Sequence, residues 1–383
     1  MKLPSLPLAL LALQIMLALA GCASPAPAPA VVAPTPVTPA PAPVVVPPAP
    51  VTAPPAPAAN VTASAPPAPL SPAVLPGNGL AQHPFLYTGE WNYPKKTQSL
   101  VIVRDGKIAW SYDIPTNIPG PNNTKILQEF SDATMLSNGN VVFARKTGAG
   151  EVTPDKQLIW NYDAPPGFEV HTIQPIGADR VMMIRNGNPA KLMIINTVTN
   201  QTEKEIVLPT GNPQKAHLQF RGVRLTAAGT FLAAHMDNNK VSEYDADGKE
   251  IWSVAVRAPW AAVRLNNGNT LVTSNAGFVH EINPQGETVW EFSQKDVPDI
   301  KLFVIQEAER LANGNTVLCN WCANAIKNPK NWPGSVQLLE VTPDKKVVWA
   351  LRSWDDPANL GPASIIQLLD QPGVPEKPGD QLR

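Results

Sequence analysis

The chain has 383 residues, and its 30 lysines and arginines against 31 aspartates and glutamates give a formal net charge of −1. This even balance, without a clustered basic segment, argues against a nucleic-acid-binding surface, so no nucleic acid is expected as a partner. Most of the 44 prolines fall in one segment near the N-terminus, so the composition of the whole chain does not describe its folded part.

The first 21 residues have the pattern of a secretory signal peptide. Lys2 gives a positive start, and residues 8–20 are an apolar run too short for a confident membrane span. Residues 19–22 read LAGC, which resembles the lipobox of bacterial lipoproteins. The resemblance implies cleavage before Cys22 and its lipidation, palmitate included; an ordinary signal peptide with an incidental cysteine is the alternative. Ala23 stands where an aspartate would signal inner-membrane retention, so we expect an outer-membrane anchor, with the domain in the periplasm or at the cell surface.

Residues 22–77 are predicted to form a tether. Between residues 23 and 76 the chain is mainly Ala, Pro, Val, Ser and Thr, without a charge. Such a segment cannot bury a core, and in polyproline II form it would reach on the order of 150 Å. A folded domain is expected over residues 78–372, followed by a tail at 373–383.

Two short phrases repeat through the folded part. One is a polar turn, an apolar pair and a tryptophan, and the other is an Asn-Gly pair between apolar runs; a spacing of about 40–50 residues indicates a repeat architecture. The tryptophans are Trp110, Trp160, Trp252, Trp290 and Trp349, and the pairs are at 138–139, 267–268 and 313–314. Asn-Gly favours a two-residue hairpin turn with φ > 0 at both positions, so each repeat is predicted to be a four-stranded meander. The tryptophans are expected to pack between neighbouring sheets.

The repeats number six. Five are continuous, and the second, at 170–208, has lost both phrases. The sixth is split, with its first strand at 364–370 and its other three strands between residues 85 and 114. Pairing of the two chain ends would close the ring and remove free edges. The predicted fold is therefore all-β: a six-bladed β-propeller of four-stranded antiparallel blades, closed by its N- and C-terminal strands.

The tryptophan phrase is similar to the repeats of quinoprotein-like (PQQ-like) propellers, and the LxNGNTLV phrase also resembles the bacterial arylsulfotransferase propellers. A third relative in architecture and address is the outer-membrane assembly lipoprotein. The quinone-dependent dehydrogenases of the first family have eight blades, a calcium site and adjacent cysteines. This chain has six repeats and a CxxC spacing, so PQQ is not expected and no cofactor is predicted.

The order of the strands predicts which end of the ring carries function. The Asn-Gly turns and the second set of turns, at residues 105–106, 247–248 and 285–286, fall at one end of the ring, which we call the glycine-turn end. The long loops after Cys322 and at 115–125 fall at the other end, and binding residues are commonly found in such loops. The candidates that start inner strands at this long-loop end are Asp132, His171, His217, Arg221, Trp260 and Glu307. A further set, Arg224, Arg264 and Arg310, occupies one equivalent position and is expected either to line the channel and attract an anion or to pair locally.

Cys319 and Cys322 form a CxxC pair with three readings: a structural disulfide, two unpaired buried thiols, or a redox pair. Residues three apart in a regular strand point to opposite faces, so a disulfide would need a turn. Ala323 follows, which excludes the usual haem-attachment motif, and no second pair completes a zinc site. No metal site is predicted, although His171 and His217 are the residue types that would bind one.

The sequence leaves two functions open. The first is a non-catalytic scaffold that binds a protein or a small molecule through the long-loop face, and the second is a propeller enzyme, either sulfotransferase-like or a divergent quinoprotein. A deep pocket that joins His171 or His217 to an arginine would favour the enzyme. A shallow apolar face around Trp321 and Trp332 would favour a binding partner.

Overall fold

The computed structural model describes residues 74–377 and residue 379. The predicted signal peptide, Cys22 and the tether up to residue 73 lie outside the described residues. Among the helices that are described, none has the length and hydrophobicity needed to cross a membrane.

Six four-stranded antiparallel sheets form the blades of the propeller. Blade one contains β1 (Phe85–Gly89), β2 (Thr97–Arg104), β3 (Lys107–Pro115) and β26 (Ala363–Leu368). Blade two contains β6 (Phe130–Met135), β7 (Val141–Arg145), β8 (Gly148–Val152) and β9 (Leu158–Asp163). Blade three contains β10 (Glu169–Ile176), β11 (Arg180–Asn186), β12 (Ala190–Asn196) and β13 (Gln201–Leu208).

The other three blades follow the same pattern. Blade four contains β14 (Phe220–Leu225), β15 (Phe231–His235), β16 (Lys240–Tyr244) and β17 (Glu250–Ala255). Blade five contains β18 (Pro259–Arg264), β19 (Thr270–Ser274), β20 (Phe278–Ile282) and β21 (Thr288–Ser293). Blade six contains β22 (Val304–Arg310), β23 (Thr316–Trp321), β24 (Leu338–Val341) and β25 (Val347–Leu351).

Short elements complete the description of the chain. A small hairpin of β4 (Asn117–Pro119) and β5 (Lys125–Leu127) lies between blades one and two. Five 3₁₀ helices are found at Gly79–Ala81, Pro121–Asn123, Ala216–Leu218, Gln294–Asp296 and Pro329–Gly334.

The ring closes as the sequence predicts. Strand β26 pairs antiparallel with β1, so the C-terminal strand becomes the innermost strand of blade one. The six innermost strands, β6, β10, β14, β18, β22 and β26, each contact the next around the ring. Because the inner strands form an unbroken ring, the fold is a closed six-bladed propeller. The prediction of fold class is confirmed.

The hydrophobic core lies between the blades. Six clusters of buried side chains each combine residues of two adjacent blades, one cluster per interface. The recurring tryptophans belong to these interfaces. Four of the indole N–H groups donate to a turn of the next blade; Trp290, for example, donates to the Pro343 carbonyl at 2.9 Å. The fifth, that of Trp349, donates to the Gly79 carbonyl ahead of β1. In blade three the equivalent position, opposite Ile194, is Lys204, whose ammonium lies 5.9 Å from the ring of Phe231.

The turns at the Asn-Gly pairs are not of the predicted type. At residue 268 the glycine has a φ of 84°, but Asn267 does not have a positive φ. The Gly268 N–H donates to the Leu265 carbonyl at 2.9 Å, and the Leu265 N–H donates to the Asn269 carbonyl at 2.8 Å. This is a three-residue loop in which a type I turn precedes a left-handed glycine. The two-residue turn with φ > 0 at both positions occurs instead at residues 105–106, with φ of 50° and 73°.

Candidate functional site

The strands bring a cluster of polar and aromatic side chains to the axis of the ring at the long-loop end. Each inner strand begins at this end, so the residues just before each inner strand and the first residues of the strand converge there. Strand β1 runs in the opposite direction and ends here. The resulting cavity has a volume of about 110 Å³. It is lined by Glu90, Trp91, His217, Leu218, Arg221, Met236, Trp260, Asn275, Trp321 and Asn324, and we call it the chamber.

One carboxylate organises the two histidines beside the chamber. Oε2 of Glu169 lies 2.7 Å from Nε2 of His171 and 2.8 Å from Nδ1 of His217. Burial would raise the pKa of Glu169, but the hydrogen bonds and charges of the two histidines outweigh it and hold this pKa well below its usual range. Glu169 is therefore an anion at neutral pH, and each histidine directs one ring N–H towards it.

His171 is buried and neutral. Burial and the nearby Arg221 cation lower its pKa to about 3, although Glu169 acts in the opposite direction. Nη1 of Arg221 lies 2.9 Å from Nδ1 of His171, and since a guanidinium can only donate, Nδ1 is the accepting nitrogen. The His171 proton is thus on Nε2, where Glu169 accepts it.

Two further acidic residues, Glu90 and Glu129, lie in the same region. Burial and the neighbouring carboxyl of Glu90 raise the pKa of Glu129 to about 8, against the influence of nearby cations. Burial also raises the pKa of Glu90, whose Oε2 accepts a 2.8 Å hydrogen bond from Gln306. Two carboxyls in one buried site cannot both ionise cheaply, so this pair retains a proton near neutral pH.

Tryptophans enclose the chamber. Trp91 donates its indole N–H to Oε2 of Glu129 and stacks on His217 with ring centres 6.0 Å apart. Its φ of 62° is rare for a bulky residue, and such backbone strain is often found at functional sites. Trp321 packs edge-on against Trp91 at 5.3 Å, and the Arg221 guanidinium lies 4.7 Å from the Trp260 ring.

Four buried polar atoms in or next to the chamber have no hydrogen-bond partner within the described residues. Oε1 of Glu90 and Nε of Arg221 belong to residues that line the chamber. Oε1 of Glu129 and Oε1 of Gln306 belong to residues that do not line it but bond Trp91 and Glu90. Buried polar atoms are almost always satisfied in folded proteins, so four in one place are unusual.

A larger groove shares no lining residue with the chamber. It has a volume of about 730 Å³ and lies between the β4–β5 hairpin and residues 163–169. Lys146 and Glu169 line it, with Nζ of the lysine 3.5 Å from Oε1 of the carboxylate. Glu169 thus lines the groove itself and is hydrogen-bonded to His217, which lines the chamber.

Asp132 and Glu307 are buried deeper in the ring and do not line the chamber. Nη1 of Arg224 lies 2.9 Å from Oδ2 of Asp132, and its Nη2 lies 3.7 Å from Oε1 of Glu307. These three residues come from the inner strands of blades two, four and six, so the cluster joins three blades across the axis.

The prediction that three arginines share one position is wrong. Thr226 makes the turn hydrogen bonds that Leu265 makes in blade five, so Arg224 lies two residues before its turn residue whereas Arg264 lies one before. A shift of one residue places a side chain on the opposite face of a strand. Arg224 therefore reaches Asp132, and Arg264 does not.

Arg264 and Arg310 lie at the glycine-turn end and not at the chamber. The Arg264 guanidinium bonds the carboxylate of Glu243 and lies 5.2 Å from the ring of Trp252, both in the preceding blade. Arg310 repeats this arrangement one blade further on. The local pairing considered from the sequence is what the structure shows for both.

Trp321, Trp332 and the two cysteines belong to buried structure. Trp321 and Trp332 are each only 2% exposed, so the apolar face expected around them is not open to solvent. No disulfide joins Cys319 to Cys322. The first packs in the core between blades six and one, and the second packs with the two tryptophans, which agrees with side chains three apart facing opposite ways.

The comparisons with known proteins concern the fold. Residues 212–321 match the PQQ_2 family model, described as outer membrane protein assembly factor BamB. The chain thus resembles the PQQ-like repeat propellers, as its repeats predict. No curated protein matches it.

Solved structures also resemble the propeller. A protein of unknown function from Bacteroides caccae has a TM-score of 0.62 and 23% identity, over 74% of this chain and 97% of that chain. A catalytically inactive virginiamycin B lyase from Staphylococcus aureus has a TM-score of 0.48 and 15% identity, over 70% of this chain and 85% of that chain. The first likeness shows the fold alone, and the second is too low to carry an argument.

Proposed function

We propose that this protein is a lipid-anchored β-propeller that binds a small polar ligand in the chamber at the long-loop end. The observation that carries the proposal is a cavity walled by Trp91, Trp260 and Trp321 and lined by two residues with an unpartnered buried polar atom, Oε1 of Glu90 and Nε of Arg221. A ligand that supplies the missing hydrogen bonds would be held both by them and by the aromatic walls. The volume of about 110 Å³ suits a group of a few non-hydrogen atoms.

The anchor is the second part of the proposal. Lipidation of Cys22 would fix the chain to a membrane, with the outer membrane as the favoured site, and the Pro-rich tether would hold the propeller away from it in the periplasm or at the surface. Cys22→Ser removes the acceptor thiol. The variant should move from the membrane fraction to the soluble fraction and lose incorporation of labelled palmitate; retention in the membrane with label would contradict the anchor.

A paired set of variants tests the chamber. Arg221 and Arg264 each lie over a tryptophan and near a glutamate, but only Arg221 lines the chamber. A thermal-shift screen of small polar compounds on the full chain should yield ligands that bind wild type and Arg264→Gln equally and Arg221→Gln at least about tenfold more weakly, which corresponds to about 1.4 kcal/mol. Equal weakening by both variants would contradict a site in the chamber.

An enzyme is the second candidate, because Arg221 touches His171 at the chamber. A histidine joined to an arginine within hydrogen-bond reach is one part of an arrangement that favours catalysis. Any compound that the screen identifies should therefore be incubated with the protein and followed by mass spectrometry. Conversion that requires His217 would establish an enzyme, whereas recovery of the unchanged compound would leave the binding function.

A further inference from the structure

We propose that Glu129, His171 and His217 bind a divalent transition-metal ion beside the chamber. One donor atom from each of these residues lies within 4.8 Å of the other two. They come from the starts of three consecutive blades, so the grouping exists only in the closed ring. The inference deepens the proposed function, because the metal would lie in the same site and present an open coordination position to a ligand.

The hydrogen bonds of Glu169 prepare both histidines as ligands. It accepts the N–H of His171 at Nε2 and of His217 at Nδ1, so the nitrogens that a metal would bind are Nδ1 of the first ring and Nε2 of the second. Metal-binding histidines commonly donate their other N–H to a carboxylate, which fixes the tautomer and the ring orientation. Here one carboxylate does so for two rings.

The spacing of two of the ligands already suits a metal. Oε1 of Glu129 and Nδ1 of His171 are 3.4 Å apart. Bonds of about 2.0–2.1 Å at a tetrahedral angle give a ligand separation of about 3.3–3.4 Å. Glu129 is fully buried, and this same Oε1 receives no hydrogen bond within the described protein. His217, which is the most exposed of the three and lies on a short 3₁₀ helix, is the ligand that would move inward.

The site already attracts a cation of the chain itself. Nη1 of Arg221 contacts Nδ1 of His171 and lies 4.0 Å from Oε1 of Glu129, so the guanidinium occupies the side of the ring that a metal would need. The other charged groups that affect Glu129 are Glu90 and Lys146. A metal must displace this guanidinium, which also lies over the Trp260 ring at the chamber.

The donor set selects the class of metal. Two imidazole nitrogens with one carboxylate oxygen suit Zn²⁺, Co²⁺, Ni²⁺ or Fe²⁺, whereas Ca²⁺ and Mg²⁺ prefer sites made of oxygen ligands. We commit to a site for this group of ions.

The test is a titration of the full chain, purified without a histidine tag and freed of metal by chelation, with Co²⁺ alone. The visible absorption of bound Co²⁺ should saturate at one equivalent and disappear on addition of Zn²⁺. His217→Gln should weaken binding by more than about 100-fold, and Glu169→Gln, which disturbs only the orientation of the rings, by about 10–100-fold. His280→Gln is the matched control, since it also removes a half-buried histidine paired with a glutamate, and it should leave binding unchanged.

Arg221→Gln separates the metal site from the proposed ligand site. It should bind Co²⁺ more tightly than wild type, because a competing cation is removed, while it loses the small-molecule ligand. Circular dichroism melting of each variant confirms that it is folded. Absence of stoichiometric Co²⁺ binding by the wild type, or equal binding by folded His217→Gln, would overturn the metal site, whatever the result of the ligand screen.

Discussion

At the level of single residues, Glu169 organises the chamber. It is a half-buried anion that holds the N–H groups of His171 and His217, and it does so with a single oxygen at 2.7 and 2.8 Å. Arg221 then closes the arrangement from the far side of the first ring at 2.9 Å. The chain therefore positions the accepting Nδ1 of His171 and the ring of His217 next to the Glu90–Glu129 pair, which is a combination suited to binding a hydrogen-bond donor or a metal.

The sequence could predict part of this cluster. His171, His217, Arg221 and Trp260 were recognisable because they are chemically distinctive and start inner strands at the long-loop end. Glu90, Trp91, Glu129, Glu169 and Gln306 were missed, since a glutamate or glutamine next to a strand is usually a surface residue. The position of each acidic residue before an inner strand or after β1 was the available signal, but their contacts cross blades and appear only when the ring closes.

Another buried histidine outside the chamber gives a pH prediction. Burial and Lys240 lower the pKa of His235 to about 3, while Glu250 acts weakly in the other direction, and Nε2 lies 2.8 Å from the hydroxyl of Tyr244. Between pH 6.5 and 3 the unfolded chain binds a proton at this histidine and the folded chain does not, so its contribution to stability falls as the pH falls.

We expect His235→Gln to flatten that dependence. The slope of the unfolding free energy against pH should decrease by up to about 1.4 kcal/mol per pH unit between pH 6 and 4 relative to wild type. Urea unfolding at several pH values measures it. Parallel curves for the two proteins would show that His235 is not neutral in the folded state.

At the level of elements, the repeated phrases hold adjacent blades together. In two junctions, blades four to five and blades five to six, the tryptophan of one blade donates to the turn of the next blade, and an arginine of that next blade pairs with a glutamate beside the tryptophan. In the junction of blades five and six these are Trp290, Arg310 and Glu281, with a 2.8 Å ion pair and the guanidinium 5.3 Å from the indole. The repeat period made these elements predictable. The turn type and the strand face on which the Arg224 side chain lies depend on one-residue differences that the phrases do not reveal.

Trp290→Phe tests this junction. The phenyl ring keeps the packing but loses the hydrogen bond to Pro343, so the unfolding free energy should fall by about 0.5–1.5 kcal/mol, with a further loss from the weaker contact to Arg310. Val289→Ala, at an exposed neighbour, is the control and should change stability by less than about 0.5 kcal/mol. Equal effects in chemical denaturation would contradict the role of the indole.

For the whole molecule, stability depends on closure by β26. This strand supplies Ala363, Ile366 and Leu368 to the core between blades six and one, and it covers the edge of β1. A chain that ends at residue 361 would expose that edge and leave a gap in the ring of inner strands. It should aggregate and lose its cooperative thermal transition.

A chain that ends at residue 372 keeps β26 and serves as the control for that truncation. It loses only the contacts of the C-terminal segment, such as that of Glu376 with Ser137. It should remain monodisperse in size-exclusion chromatography and melt cooperatively. A cooperative transition in the shorter chain would contradict closure as the basis of the fold.

The central claim is that function lies in the chamber at the long-loop end and that the arginines at the other end only join blades. The most direct measurement is the dissociation constant of one screened ligand for wild type, Arg221→Gln and Arg264→Gln under identical conditions. The account predicts weakening by at least about tenfold for Arg221→Gln and no change for Arg264→Gln. A ligand that is weakened by Arg264→Gln and unaffected by Arg221→Gln would place the site at the opposite end of the propeller and contradict the account.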